Sequence, residues 1–134
     1  MLLGGGVNGD LIAQIFTPLA SVRLYNTAAN TWSSAGSMGV TRVFPGFFEL
    51  GSDVIAIGGL KNFDLVAGTG EGAEEIEVTT TAAAAWTQVA TTMFPRFLAV
   101  SALVGGGERI LTTGSGDNGS GGTIPDLTAE TYLP

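Results

Sequence analysis

Tyr25-Asn-Thr-Ala-Ala-Asn-Thr-Trp32, followed by Met38, Arg42 and an apolar segment that closes on Val54-Ile-Ala-Ile-Gly58-Gly59, decides the reading of this chain. Its signals return further on. Trp32 and Trp86 are 54 positions apart, as are Arg42 and Arg96, and Gly5 and Gly59. Thr27-Ala-Ala29 reappears as Thr81-Ala-Ala83. A period of roughly 50 residues made of short β-like runs is the pattern of a propeller blade.

Working outward, Met1 to Gly6 reads as the end of a strand running into a glycine turn. Val7 to Leu19, with N-G-D and Pro18, reads as a long connection. Ser21 to Asn26 alternates Val22 and Leu24 against Arg23 and Tyr25, as a half-buried strand does. A tight connection at Asn26 to Asn30 leads into a strand around Trp32 (Thr31 to Ser34), and Gly36 to Thr41 reads as a loop. Val43 to Leu50 is a strand that Pro45 pushes to start near Phe47. Gly51-Ser52-Asp53 is a hairpin turn before Val54 to Ile57. The second unit repeats the order. Leu60 to Ala73 is a long loop, Glu75 to Thr79 a strand, Ala82 to Ala85 a turn, Trp86 to Val89 a strand and Thr91 to Pro95 a loop. Then come a buried strand at Phe97 to Val104, a turn at Gly105 to Glu108, a strand at Arg109 to Thr113, a third long loop at Ser115 to Leu127 and a strand at Thr128 to Leu133. These ten strands, with no convincing helix, predict an all-β chain of antiparallel meanders.

The chain's 134 residues are enough for a core. Net charge is −7 and Lys61 is the one lysine, so no basic patch exists to neutralise phosphates. Nucleic acid and anionic membrane surfaces are poor partners on that count. No apolar run approaches the ~20 residues of a membrane helix, and Met1-Leu-Leu-Gly-Gly-Gly carries neither the basic segment nor the apolar core of an export signal. With no cysteine and no histidine, disulfides, most zinc, copper and haem sites, and Ser-His or Cys-His nucleophiles drop out. Scarce lysine with abundant Thr, Gly and Ala hints at an extracellular setting.

These residues resemble the Kelch repeat, in its bacterial and galactose-oxidase-like form. That blade carries a strand ending in a double glycine, a tyrosine, a tryptophan six or seven residues on, and an arginine before the next inner strand: here Gly58-Gly59, Tyr25, Trp32 and Arg42. A second copy has Trp86, Arg96 and Gly114, with Thr79 in the tyrosine's place and Thr113 in the first glycine's. Gly4-Gly5 and Tyr132 sit at the corresponding places on either side. The resemblance covers the whole chain and implies a partial Kelch-type β-propeller of about two and a half four-stranded blades: an incomplete blade over 1–38, a complete one over 39–92 and an incomplete one over 93–134. Two and a half blades leave strand edges and blade faces uncovered. The remaining blades, from a longer chain or from copies of this one, are therefore expected partners. The oxidase of that family uses copper held by tyrosine and histidine and a tyrosine linked to cysteine. This chain has neither histidine nor cysteine, so the resemblance implies no such activity and no cofactor on this portion.

The remaining motifs read as structure. Evenly spaced Trp32 and Trp86 predict between-blade packing rather than ligand stacking. In the Kelch family this arginine packs and hydrogen-bonds, so the resemblance implies that role for Arg42 and Arg96 rather than capture of a ligand carboxylate. Gly4-Gly5-Gly6 and Gly58-Gly59 lack the Gly-Lys-Ser/Thr and the helix of a phosphate loop. Asp117-Asn118-Gly119-Ser120 is oxygen-rich, but with Asp126 as the one nearby second acid it falls short of a calcium site. Glu74, Glu75 and Glu77 predict a charged, solvated strand face rather than an acid–base pair. In the family, one propeller face is built from the connections between second and third strands and those between blades. Here that face carries Asp10, Asp64, Glu71, Asp117, Asn118 and Asp126 against Lys61 alone. The expectation is a non-catalytic binding or scaffolding module with an acidic face for a protein or carbohydrate. The alternatives are a portion of a secreted oxidase or carbohydrate-active enzyme whose catalytic residues lie elsewhere, and a structural unit of a larger assembly.

Overall fold

The computed structural model describes residues 1–10, 12, 15–64, 66–80, 85–117, 123–124 and 128–134, with the backbone alone at 2, 15, 97, 98, 115–117, 123 and 124. Twelve strands and no helix occur among them: β1 (Leu2–Gly4), β2 (Val7–Asp10), β3 (Ile15–Asn26), β4 (Thr31–Arg42), β5 (Gly46–Leu50), β6 (Asp53–Ile57), β7 (Leu60–Asp64), β8 (Thr69–Thr80), β9 (Thr87–Val104), β10 (Arg109–Asp117), β11 (Thr123–Ile124) and β12 (Ala129–Tyr132).

The strands form blade-like antiparallel sheets, the architecture of a partial β-propeller. The first blade is β1-β3-β4. The middle blade is β5-β6-β8 and the first half of β9, and the third is the second half of β9 with β10 and β12. Arg96 on β9 pairs with Ala73 of the middle blade and with Gly116 of the third, so hydrogen bonding passes between the two blades without a break.

Three features differ from the sequence expectation. First, the long connections are paired rather than irregular. β2 folds back on the start of β3, β7 on the start of β8, and β11 on the end of β10, giving β-ribbon arms that extend the blades. Second, the expected loops at Gly36 to Thr41 and Thr91 to Pro95 belong to β4 and β9, which accommodate them through register shifts. Bulged pairing absorbs the extra residues without ending the strand. Third, the segment expected as a buried strand at Phe97 to Val104 is not buried: Val100 is 71% and Leu103, on the opposite face, 41% accessible, and among the described residues no sheet packs on the Val100 side. The turn expected at Ala82 to Ala85 falls largely outside the described residues.

The core lies between blades. Val22 and Met38 of the first blade pack on Ala56 of the middle one, with Phe47 and Trp86 beside them. Ile55, Ile57 and Ile76 of the middle blade pack on Ile110 of the third, with Phe48, Val78 and Tyr132 around them. Alternate residues of a strand point to opposite faces, so β6 sends Ala56 one way and Ile55 and Ile57 the other, and both directions are buried. Such a strand reads as an unbroken apolar run, as Val54 to Ile57 does. Each fully buried isoleucine contributes about 1.5–3 kcal/mol by removal from water.

Local chemistry fixes the turns. Asn26 Oδ1 accepts from the backbone N–H of Ala28 and Ala29 at 3.0 and 3.1 Å, while Asn30 takes a left-handed φ of 52°. Both are habits of asparagine in tight turns. The glycine pairs that close β1 and β6 share one geometry: Gly5 and Gly6 have φ of 70° and 105°, Gly58 and Gly59 66° and 97°. Gly6 N–H donates to Arg42 O at 2.8 Å and Gly59 N–H to Arg96 O at 3.0 Å. The first pair is thus Gly5-Gly6, one residue on from the Gly4-Gly5 that spacing alone picks out. Gly4 lies in β1 against Phe47 and Val22.

Candidate functional site

The two repeated arginines are buried, and each is held by a glutamate. Arg42 Nη2 lies 3.0 Å from Glu77 Oε2, and its Nε donates to the same oxygen at 3.3 Å. Nη1 donates to Gly58 O and Nη2 to Glu75 O, both at 2.8 Å. Glu77 also accepts from the backbone N–H of Gly39 and Val40. The same knot recurs one unit later. Arg96 donates to Glu130 Oε1 at 2.9 Å through Nε and 2.8 Å through Nη2, and Glu130 accepts from Met93 N–H. Arg96 also reaches Gly114 O and Thr128 O, the counterparts of Gly58 O and Glu75 O. A planar guanidinium filled this way tacks the crossing between blades to the heart of the next blade.

This corrects the reading of Glu77 as part of a solvated face. Glu77 is buried, because β8 is packed between blades and both its faces lie inside. The repeat held a signal that was missed: Arg42 precedes Glu77 by 35 positions and Arg96 precedes Glu130 by 34.

The tryptophans occupy different surroundings despite equal spacing. Trp86 meets Phe47 edge-on at 6.0 Å and donates from Nε1 to Ala35 O of the preceding blade at 3.4 Å. Trp32 lies over Tyr25 of its own blade, ring centroids 4.9 Å apart, and stays 51% exposed. Thr79, in the tyrosine's place, is buried and donates to Ala85 O. Tyr132 packs on the second core cluster; burial, and after it the Asp53 carboxylate, pushes its phenol pKa up.

The expected binding-face residues that the structure describes lie on the arms. Asp10 closes the pairing of the first arm and Asp64 that of the second. Each caps its turn: Asp10 Oδ1 accepts from Ile12 N–H at 2.8 Å, and Asp64 Oδ1 from Val66 N–H at 2.8 Å and Ala67 N–H at 3.0 Å. The arms stand side by side, with Phe16 and Phe63 rings 5.4 Å apart. At their tips Ile12 is 97% and Val66 76% exposed. These two residues went unnoticed in the sequence, although Asp10-Leu-Ile-Ala13 and Asp64-Leu-Val-Ala67 repeat at the same 54-residue interval. An apolar groove of about 390 Å³, walled by Leu3, Gly6, Val7, Phe44 and Pro45, opens at the base of the first arm.

Lys61 is absorbed on the second arm. Its Nζ lies 2.9 Å from Glu71 and 3.3 Å from Glu75, and Asn62 donates to Glu71 at 2.9 Å. Burial opposes the lysine's charge, but the Glu71 hydrogen bond and the pull of Glu75 outweigh it and raise its pKa. The Lys61 hydrogen bond, then that of Asn62, lowers the pKa of Glu71. Asp117 ends β10, while Asn118 and Asp126 lie outside the described residues, as does most of the oxygen-rich loop. Among the described residues no three acidic side chains converge as a metal-holding group. No protein-family model and no curated protein matches the chain.

Proposed function

We propose that this chain is a non-catalytic binding module of the Kelch-propeller type that holds a protein partner on its arm face. The observation that carries this reading is the pair of arms, in each of which an aspartate Oδ1 accepts from the backbone N–H two residues on and that second residue, Ile12 or Val66, is a solvent-exposed aliphatic. Exposed apolar residues carried on hairpins and rimmed by charge are a usual make-up of a protein contact site. Aliphatic rather than aromatic tips favour a protein over a glycan, since sugars stack on rings. With Lys61 neutralised by Glu71 and Glu75, the charge left over is carboxylate, which favours a neutral or basic partner surface. The Kelch assignment is supported by Tyr25, Trp32, Arg42 and Gly58-Gly59 in the sequence together with the observed blade order.

The test is an array of 15-residue peptides of graded charge and hydropathy, probed with the chain and with an Ile12→Ser/Val66→Ser double variant. Hits should be basic and apolar and should weaken at least ~10-fold in the variant, about 1.4 kcal/mol. Salt-sensitive binding to heparin, or hits indifferent to the two substitutions, would overturn the reading.

A further inference from the structure

Each blade has two faces, and among the described residues only one face of the first blade and one of the third is covered. Directly opposed residues of an antiparallel pair share a face. In the first blade Gly4 opposes Val22, which is buried against Ala56. Leu3, Arg23 and Ser34 therefore lie on the other face, with Tyr25 and Trp32 further along it. In the third blade Ile110 is buried against the middle blade. Its neighbour Leu111 turns the other way, as do the opposed Ala102 and Thr131, and Val100 two residues along. Both outer faces carry accessible apolar side chains: Leu3 at 60% on the first, with Trp32, and Val100 on the third.

We propose that these two faces meet between copies: the outer face of the first blade of one chain packs on the outer face of the third blade of a second chain, head to tail.

The argument is continuity with the junctions inside the chain. Leu3, Arg23 and Trp32 hold the repeat positions of Ala56, Glu77 and Trp86, which face the first blade from the middle one. Ala102, Leu111 and Thr131 hold those of Phe48, Ile55 and Val78, which face the third. Leu111 matches Ile55 because the third blade's hairpin is two residues longer: Asp53 opposes Leu50 across two residues, Arg109 opposes Val104 across four. A second copy thus brings to each open face the kind of partner face that already packs there twice within one chain. The substitution of Arg23 for the repeated glutamate agrees. Glu77 and Glu130 serve an arginine on the strand that crosses between blades, and a junction between separate chains has no crossing strand. Such a contact uses two different surfaces, so each copy can take one neighbour on either side, and the assembly closes as a ring or runs on.

Opposite-face variants test this. Light scattering from about 1 to 100 µM should show the mass rising from 13.6 kDa in whole multiples. Trp32→Asp spoils one face and Val100→Asp the other, and each alone should remain monomeric. Mixed in equal amounts, they should give a dimer and nothing larger, because one good pair of faces survives. Leu3→Asp and Ala102→Asp replace either variant that loses its cooperative melt. A wild-type chain that stays monomeric throughout, a variant that still associates, or a mixture that stays monomeric would overturn the proposal.

Discussion

The Arg42 guanidinium and the Glu77 carboxylate meet at 3.0 Å, and both side chains are sealed from solvent. Isolated, either charge would be untenable there. Together, and with the carbonyls of Gly58 and Glu75 and the amides of Gly39 and Val40 around them, all three guanidinium nitrogens and both carboxylate oxygens are used. The pair joins the last residue of β4 to β8, so the path of the chain from one blade to the next depends on it.

Removing one partner leaves the other charged and buried, which costs about 3–5 kcal/mol in comparable sites. Glu77→Ala should therefore lower the urea midpoint severely. Glu130→Ala should cost less, since its side chain is 21% accessible and water can reach Arg96 once the carboxylate is gone. An Arg42→Met/Glu77→Leu double variant should recover only part of the loss, because the carbonyls of Gly58 and Glu75 and the amides of Gly39 and Val40 lose these partners. Equal effects for Glu77→Ala and Glu130→Ala would mean that burial does not set the scale.

The glycine pairs make a second, independent prediction. A Cβ on Gly5 would collide with Arg42 O, and one on Gly59 would sit 2.8 Å from Val43 O, in addition to the strain of their positive φ. Gly51 also has φ +64°, but nothing lies within 4 Å of its Cβ position. Gly51→Ala should then cost about 1 kcal/mol from backbone strain alone. Gly5→Ala and Gly59→Ala should cost clearly more, read from denaturant midpoints.

The period, the all-β character and the hairpin at Gly51 were legible because they rest on local chemistry and on intervals between rare residues. The buried role of Glu77 was not. Glu75, Glu77 and Thr79 alternate with Ile76 and Val78, which normally marks one wet face, and only tertiary packing reveals that β8 is covered on both sides. The arms were hidden for a related reason. A two-stranded ribbon standing in solvent needs no apolar alternation, so Leu60 to Ala73, with its Gly-Thr-Gly-Glu-Gly, looks like a loop although Asn62 pairs with Glu71 and Asp64 with Thr69.

Acid and alkali should weaken the fold through different residues. Glu71 has a lowered pKa in the folded chain, so its contribution is complete above its ordinary value of about 4.5 and is lost as pH falls through the folded value. Its side chain is half exposed, which makes the effect small and sensitive to salt. Lys61 and Tyr132 both have raised values, so the folded chain keeps protons that the unfolded chain gives up. Their contributions are intact below about pH 10 and are lost as pH rises further. Midpoint against pH should show a shallower acid limb for Glu71→Gln and a shallower alkaline limb for Tyr132→Phe. An unchanged acid limb would mean that the ion pair with Lys61 is not formed in solution.

The two tryptophans should separate cleanly when the chain is dilute enough to be monomeric. Trp86 is partly buried between blades, with Phe47 against its ring and Ala35 O on its indole nitrogen. Truncating it opens the first core cluster, and Trp86→Ala should cost about 3 kcal/mol or more. Among the described residues Trp32 has one ring neighbour, Tyr25, and half its surface is in water. Trp32→Ala should cost under about 1.5 kcal/mol, the scale of a single aromatic pair. Acrylamide quenching then distinguishes them without reference to stability: Trp86→Phe should leave a readily quenched emission and Trp32→Phe a protected one. Equal quenching of the two would contradict the unequal surroundings at these equally spaced positions.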